Sequence, residues 1–257
     1  MERFTDRRVL ITGGGSGIGR ATVHRILGEG GQVVAADINA DGLAETAKQA
    51  AANGNGDRLS TVVINIGDEA SVKAGVAQAV ENLGGGLDAL INAAGILRSA
   101  HTHEMPLEDW NRIITTNLTG TFLMIREALP TLLQSNKKVI VNFASTSTFF
   151  AHPYMAAYAA SKGGIMSMTH ALASEYSKEG LRVVAVAPGS ISSDMTDGRG
   201  PGIPEDADFT LFSKLIPAIG QGFASPDTVA GVVAMLASDD GAFITGTEIR
   251  IDGGTHA

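Results

Sequence analysis

Cysteine is absent from the 257 residues. That excludes disulfide staples, thiolate-held zinc or iron–sulfur centres and a thiol nucleophile. Basic side chains are also scarce: 19 Lys and Arg face 27 Asp and Glu, a formal charge of −8. With no long Lys/Arg run, the chain is poorly equipped to neutralise a nucleic-acid backbone or an anionic lipid surface. No uninterrupted apolar stretch approaches the ~20 residues of a membrane span. Near the N-terminus the apolar run is only Val9-Leu10-Ile11, too short for a signal-peptide core. A cytoplasmic protein that engages neither nucleic acid nor membrane is expected. His101 and His103 flank no carboxylate cluster at ligand spacing, so no metal is expected either.

Glycine is plentiful: 32 of 257 residues, about 12% against a usual ~7%. The glycines follow no G-X-Y period, so they mark tight approaches of the backbone. Short β-branched runs alternate with longer amphipathic stretches. The runs are Arg8–Thr12, Gln32–Asp37, Ser60–Asn65, Asp88–Asn92, Lys138–Ser145, Arg182–Ala187 and Thr247–Ile251. Several are apolar at consecutive positions, as strands covered on both faces must be. Helices are expected at Gly17–Gly30, Ala40–Asn53, Glu69–Leu83, Leu107–Gln134, Ala156–Lys178 and Pro226–Leu236. The pattern predicts an α/β fold: a doubly wound, seven-stranded, mostly parallel sheet with helices on both faces. One domain, 1–257, is expected, because no linker divides the chain. A Gly/Pro/Asp-rich insertion at Asp194–Asp208 precedes an apolar cluster, and a lid at about 190–220 is expected there.

In such a sheet, ligands bind beyond the carboxyl ends of the strands. Polar or glycine residues stand at six of those ends: Gly13, Asp37, Asn65, Asn92, Ser145 and Pro188-Gly189. The first turn, TGGGSGIG (Thr12–Gly19), runs directly into a helix. Gly13, Gly17 and Gly19 keep side chains out of the way, and the helix start offers free N–H groups to a pyrophosphate. Asp37, 18 residues after Gly19, can accept hydrogen bonds from a ribose 2′-hydroxyl and repels a 2′-phosphate. Ser16 and Ile38 occupy the positions where a phosphate-binding cation would stand, and no Arg or Lys is expected nearby. The cofactor expected is therefore NAD rather than NADP.

Tyr158 and Lys162, in YAASK, are four apart on a helical segment and so share one face. A free tyrosine titrates near 10. An ammonium within about 4–6 Å lowers that value by roughly 1–3 units, into the range useful for a general acid/base. Ser145 ends the fifth strand and can donate to a substrate oxygen. Asn117, in TTNLTG, sits mid-helix against propensity and is expected to hold a water that reprotonates Lys162.

Together these motifs resemble the short-chain dehydrogenase/reductase family of the single-domain type. The resemblance rests on Thr12–Gly19, Asp37, NAAG (Asn92–Gly95), Asn117, Ser145, Tyr158 and Lys162, Pro188-Gly189 and the terminal ITGTEIRIDGG. It covers nearly the whole chain in the family's order. It implies that Tyr158 is the proton donor or acceptor. Lys162 binds the nicotinamide ribose and lowers the Tyr158 pKa, Ser145 positions the substrate oxygen, and Asn117 supports a water relay. It also implies that Ser16, Ile18, Ile66, Ala93, Ala94, Gly95, Ile191 and Ser193 join the cofactor site. Two positions depart from the family: Asn65 replaces a common Asp, and Ser193 a common Thr. Each keeps an acceptor or a hydroxyl. A homotetramer is implied, built on the Leu107–Gln134 and Ala156–Lys178 helices, with the small residues Ala156, Ala157, Ala160, Gly163 and Gly164 allowing close approach.

The substrate walls are expected from Leu97, Ser145, Ser147, His152, Tyr154, Tyr158, Phe209 and Phe212. They suit a small-to-medium, largely apolar ketone or secondary alcohol, with His152 as a wall residue rather than a second base. A 3-oxoacyl-thioester reductase is the competing enzyme reading. It wants NADPH and a basic surface, which Asp37 and the charge disfavour. A non-catalytic NAD(H) sensor or scaffold is the alternative of another class, and the intact Ser145, Tyr158 and Lys162 argue against it.

Overall fold

The computed structural model describes residues 2–192, 202–220 and 222–256. Seven parallel strands form one sheet: β1 (Arg8–Thr12), β2 (Gln32–Asp37), β3 (Leu59–Val63), β4 (Ala89–Asn92), β5 (Val139–Phe143), β6 (Arg182–Pro188) and β7 (Glu248–Ile251). Their order is β3-β2-β1-β4-β5-β6-β7. The chain thus starts in the middle, winds to one edge, then returns and winds to the other. The reversal lies between β1 and β4, which pair from Val9↔Ala89 to Thr12↔Asn92.

Alternate residues of each buried strand feed two separate cores. Val9, Ile11, Val33, Ala35, Ile91, Val141 and Val184 face helices α1 (Gly17–Gly28), α2 (Ala40–Ala52) and α7 (Pro226–Ala237). Leu10, Val34, Leu90, Ile140 and Val183 face α3 (Glu69–Asn82), α5 (Gly120–Leu132) and α6 (Ala156–Glu175). The period-2 alternation of a strand makes this division, and it explains why the strand sequences are apolar at consecutive positions. No helix among the described residues is long and apolar enough to cross a membrane.

Several expected bounds shift by one to three residues, and β5 stops at Phe143, so Ser145 stands two residues beyond the strand it was expected to end. The third strand stops at Val63, two residues early. Asn65 lies beyond it in a turn, where its side-chain oxygen accepts from the Gly67 N–H at 3.0 Å. The expected Leu107–Gln134 helix is interrupted. Helix α4 (Leu107–Ile114) passes into a π-helical turn at Thr115–Thr119 before α5 begins. Such widened turns break the 3.6 period locally and gather at functional sites.

The opposite end of the sheet is held by Asp88, 2% exposed. Its carboxylate accepts from the Arg8 backbone N–H at 2.9 Å, the Arg8 guanidinium at 2.9 and 3.0 Å, and the Ser135 hydroxyl at 2.5 Å. Burial alone raises an acid, but these donors more than offset it and hold the carboxyl below its ordinary range. Asp88→Asn leaves the backbone in place and removes the charge from a charge-assisted network. We expect a loss of about 1–3 kcal/mol, read as a lower urea midpoint with an unchanged m-value.

Candidate active site

The glycine turn after β1 is built by contact. A Cβ on Gly19 would lie 2.0 Å from the Gly13 carbonyl oxygen, and one on Gly13 would lie 2.9 Å from the Ala94 N. Gly13 and Gly17 take φ of 71° and 48°, values that favour glycine. At the start of α1, Ser16 makes no side-chain cap bond and no acid sits in the first turn. The positive end of the helix therefore lacks the usual internal partners. Asp37 is tied to this turn: Oδ2 accepts from Gly15 N at 2.9 Å and Oδ1 from Asn39 N at 3.0 Å. A backbone cradle with an uncapped helix start and an adjacent fixed carboxylate fits the pyrophosphate and adenosine ribose of a dinucleotide.

One expectation here is corrected. An arginine does reach the turn: the Arg20 guanidinium donates to the Gly15 carbonyl, to Gly42 O at 3.2 Å and to Thr46 Oγ1 at 2.9 Å. It sits one helical turn into α1, outside the pattern that Ser16 and Ile38 define, and its Nε and one terminal nitrogen brace α1 against α2. Ile38 is 65% exposed beside the cradle, whereas Ile66 is packed in the core. The Asn92 side chain is likewise buried in the sheet. Its Nδ2 donates to Asn142 Oδ1 at 2.9 Å, and Asn142 Nδ2 to Thr169 Oγ1 at 3.0 Å, leaving Asn92 Oδ1 without a partner among the described residues. Ser193 lies outside the described residues.

Beyond the carboxyl ends of β4, β5 and β6 opens a cavity of about 470 Å³. Ile18, Ala93, Gly95, Ser145, Tyr158, Lys162, Pro188, Gly189 and Ile191 line its cofactor side. Tyr158 is half-buried and Lys162 is 4% exposed. Lys162 Nζ donates to the Phe143 carbonyl at 2.7 Å and lies 5.6 Å from the centroid of the Tyr158 ring. Burial lowers the Lys162 pKa to about 8. Burial also raises the Tyr158 phenol, and a hydrogen bond with Ser145 offsets this only in part. Both shifts have one cause: loss of water disfavours the phenolate and the ammonium alike.

Asn117 is fully buried in the π-helical turn. Its Oδ1 accepts from Ile96 N at 2.8 Å, and its Nδ2 donates to Ile96 O at 2.9 Å and Ser161 Oγ at 3.0 Å. Both amide donors are engaged. Asn117 braces the Gly95–Ile96 backbone against α6. A Cβ on Gly95 would sit 3.2 Å from Asn117 Oδ1 and 3.5 Å from Lys162 Nζ, so the glycine lets the two side chains close around it.

The outer walls are apolar: Leu97, Met155, Ile203, Phe212, Leu215, Ile216, Pro217 and Phe223, with Thr146, His152, Ser190 and Thr255 adding polar atoms. Leu97, Ser145, His152, Tyr158 and Phe212 line the cavity as expected. Ser147, Tyr154 and Phe209 do not. Ser147 is buried behind Ser145, whose Oγ accepts from its N–H at 3.1 Å. Tyr154, at a φ of 65°, stacks on Phe212 at 6.0 Å, and its Oη accepts from Asp208 N at 2.9 Å. Phe209 is 65% exposed. Sequence reasoning missed Pro217, Phe223 and Thr255. They converge because Ile219 N donates to Gly253 O at 2.9 Å, a long-range contact with no local signal.

Residues 7–203 match the short chain dehydrogenase family. The chain belongs to that family. This short-chain dehydrogenase/reductase is 37% identical over 252 residues to a 3-oxoacyl-[acyl-carrier-protein] reductase of Thermotoga maritima, covering 98% of each chain. It is 36% identical to levodione reductase of Leifsonia aquatica, covering 99% of this chain and 96% of that one. Among solved structures, a short chain dehydrogenase from Mycobacterium paratuberculosis bound to NAD superimposes with a TM-score of 0.91, at 26% identity and 99% coverage of both chains. The protein is an oxidoreductase that uses a nicotinamide dinucleotide on alcohol and ketone groups.

His152 supplies a measurable signature of this site. Burial, with a smaller effect from nearby His256, lowers its pKa from 6.5 to about 4. The unfolded chain then binds more protons between those values, so stability is full above pH 6.5 and falls as pH drops toward 4. We expect the Tm difference between pH 7 and pH 4.5 to be smaller in His152→Gln than in wild type; parallel melting curves would assign the acid limb to other groups.

Proposed function

We propose that the protein moves hydride between NAD(H) and the carbinol or carbonyl carbon of a small-to-medium, largely apolar secondary alcohol or ketone. Tyr158 is the general acid/base. The observation that carries this reading is Ser145, Tyr158 and Lys162 on one wall of a cavity whose other walls are mostly apolar.

When bound, the dinucleotide supplies or accepts the hydride and, in its oxidised form, brings a positive ring charge. The chain's own residues do the rest. Ser145 Oγ, on the same cavity wall as Tyr158, holds the substrate oxygen and stabilises charge developing there. The Tyr158 hydroxyl gives that oxygen its proton in reduction and removes it in oxidation. Lys162 holds the ribose and keeps positive charge beside the phenol. Asn117 fixes the Gly95–Ile96 strand end. Asn65 takes the adenine contact, and residues 202–217 form the described part of a lid over the substrate. The apolar walls exclude water from the reacting centre.

The NAD preference follows from Asp37, whose charge sits at the ribose end of the cradle and repels a 2′-phosphate. Asp37→Ser is expected to lower the NAD/NADP ratio of kcat/KM by at least tenfold; an unchanged ratio would place discrimination elsewhere. The similarity to a 3-oxoacyl-[acyl-carrier-protein] reductase favours one second reading, reduction of a 3-oxoacyl thioester. It is weakened by Asp37 and by the net charge of −8, which repels acidic carriers.

We also infer a homotetramer, supported by Leu107, Trp110 and Phe122 exposed on α4 and α5. The small-residue face of α6 contributes only in part. Ala157 is buried, and a Cβ on Gly164 would lie 2.7 Å from Leu118, whereas Gly163 has open space.

Turnover of a panel of ketones, secondary alcohols and one acetoacetyl thioester tests the reading. Tyr158→Phe is expected to bind NADH and to lose about 10²–10⁴-fold in kcat on the best substrate. Thioester turnover exceeding that of every ketone favours the second reading. NADH binding without turnover by wild type favours a sensor.

A further inference from the structure

The cavity wall holds one imidazole that the proposed chemistry does not use. His152 Nε2 lies 3.3 Å from Thr146 Oγ1, and that same oxygen lies 3.4 Å from the Pro188 carbonyl. Thr146 has one hydroxyl proton to give. Donating it to Pro188 O satisfies that carbonyl and leaves the Thr146 oxygen to accept from His152 Nε2–H. The alternative, donation to His152, leaves the Thr146–Pro188 contact without a proton. The network therefore assigns the proton of neutral His152 to Nε2, and Nδ1 carries a lone pair with no partner among the described residues.

Thr146 directly follows Ser145, so this acceptor is anchored one residue from the hydroxyl that holds the substrate oxygen. Burial keeps the imidazole neutral, which suits it to accept from an uncharged donor and gives it no attraction for a carboxylate. Leu97, Met155 and Phe212, which line the same cavity, offer a substrate hydroxyl no hydrogen-bond partner from their side chains.

We propose that His152 is a specificity-determining residue whose Nδ1 accepts a hydrogen bond from a second hydroxyl on the substrate, one or two carbons from the reacting carbon. The preferred class is then hydroxyketones and diols rather than plain ketones, diketones or keto acids. This rests on the alcohol/ketone oxidoreductase reading above and sharpens its substrate. A buried acceptor left unpaired by a substrate without the hydroxyl is penalised, whereas a methyl group of similar size fits the apolar wall but leaves the lone pair unmet.

The test compares kcat/KM for 2- and 3-hydroxycyclohexanone with that for 2- and 3-methylcyclohexanone, with NADH. In wild type, the better hydroxy compound is expected to exceed its methyl counterpart by about 10–100-fold. In His152→Phe the hydroxy/methyl ratio is expected to fall to about 1, and His152→Gln, which offers an amide oxygen, to recover part of it. NADH binding reports that each variant is folded. A wild-type ratio near 1, or a ratio that His152→Phe leaves high, overturns the assignment while the methyl compounds still report a working oxidoreductase. Failure of wild type to reduce any of the four, with NADH bound, overturns the proposed small-ketone substrate class and this inference with it.

Discussion

A buried ammonium is the constraint around which the carboxyl end of the sheet is organised. Lys162 is 4% exposed, and its Nζ has one acceptor among the described residues, the Phe143 carbonyl at the end of β5. An ammonium has three donors, and withdrawing it from water costs stability unless they are engaged. The lowered pKa of about 8 records that cost. The fold tolerates it because the remainder of α6 is anchored: Ala157 and Ile165 are buried, and Thr169 donates to Ile165 O while accepting from Asn142. A strained, electropositive point is thus set on a rigid support, the arrangement expected where binding and chemistry are bought with stability.

The same region is where the two halves of the sheet meet. Pairing of β1 with β4 brings the glycine turn against Ala93 and Ala94, so the backbone after β1 and the backbone after β4 form two sides of one crevice. A buried amide chain, Asn92 to Asn142 to Thr169, ties β4 and β5 to α6 just beneath it. Asn117 ties the next stretch, Ile96, to α6 from the other side. The cofactor cradle and the acid/base wall therefore share one polar frame. A change in the β4 end is transmitted to Lys162 through few bonds, whereas the Asp88 network at the opposite end of the strands bears on stability alone.

Much of this was legible in the residues because both faces of the central strands are covered. Arg8–Thr12 and Gln32–Asp37 have the same bounds in sequence and structure, since their apolar runs stop where burial stops. At the edge strand the rule weakens: Ile64 extends the apolar pattern, but no ladder accompanies it past Val63. The π-helical turn was hidden because inserting a residue into a helix alters neither composition nor propensity; only the misplaced Asn117 hinted at it. In the site, residues fixed by spacing on one element were identifiable, as Tyr158 and Lys162 were. Residues brought in by tertiary contact were not: Thr255 and Phe223 reach the cavity because the C-terminal segment supports residues 217–219. Tyr154 was assigned to the wall because its neighbours line it, but its positive φ carries the ring to Phe212 and Asp208 instead.

Tyr158 brings the burial of the wall to bear on the proposed chemistry. Burial moves the phenol up and the ammonium down, because loss of water disfavours both charged forms. The proposal asks this phenol to donate to the substrate oxygen in reduction and to accept from it in oxidation. The apolar lining favours the neutral phenol, and an oxidised dinucleotide, when bound, would add positive charge of the sign that favours the phenolate. On this reasoning the apolar lining bears on the proton of the site as well as on the substrate that fits it.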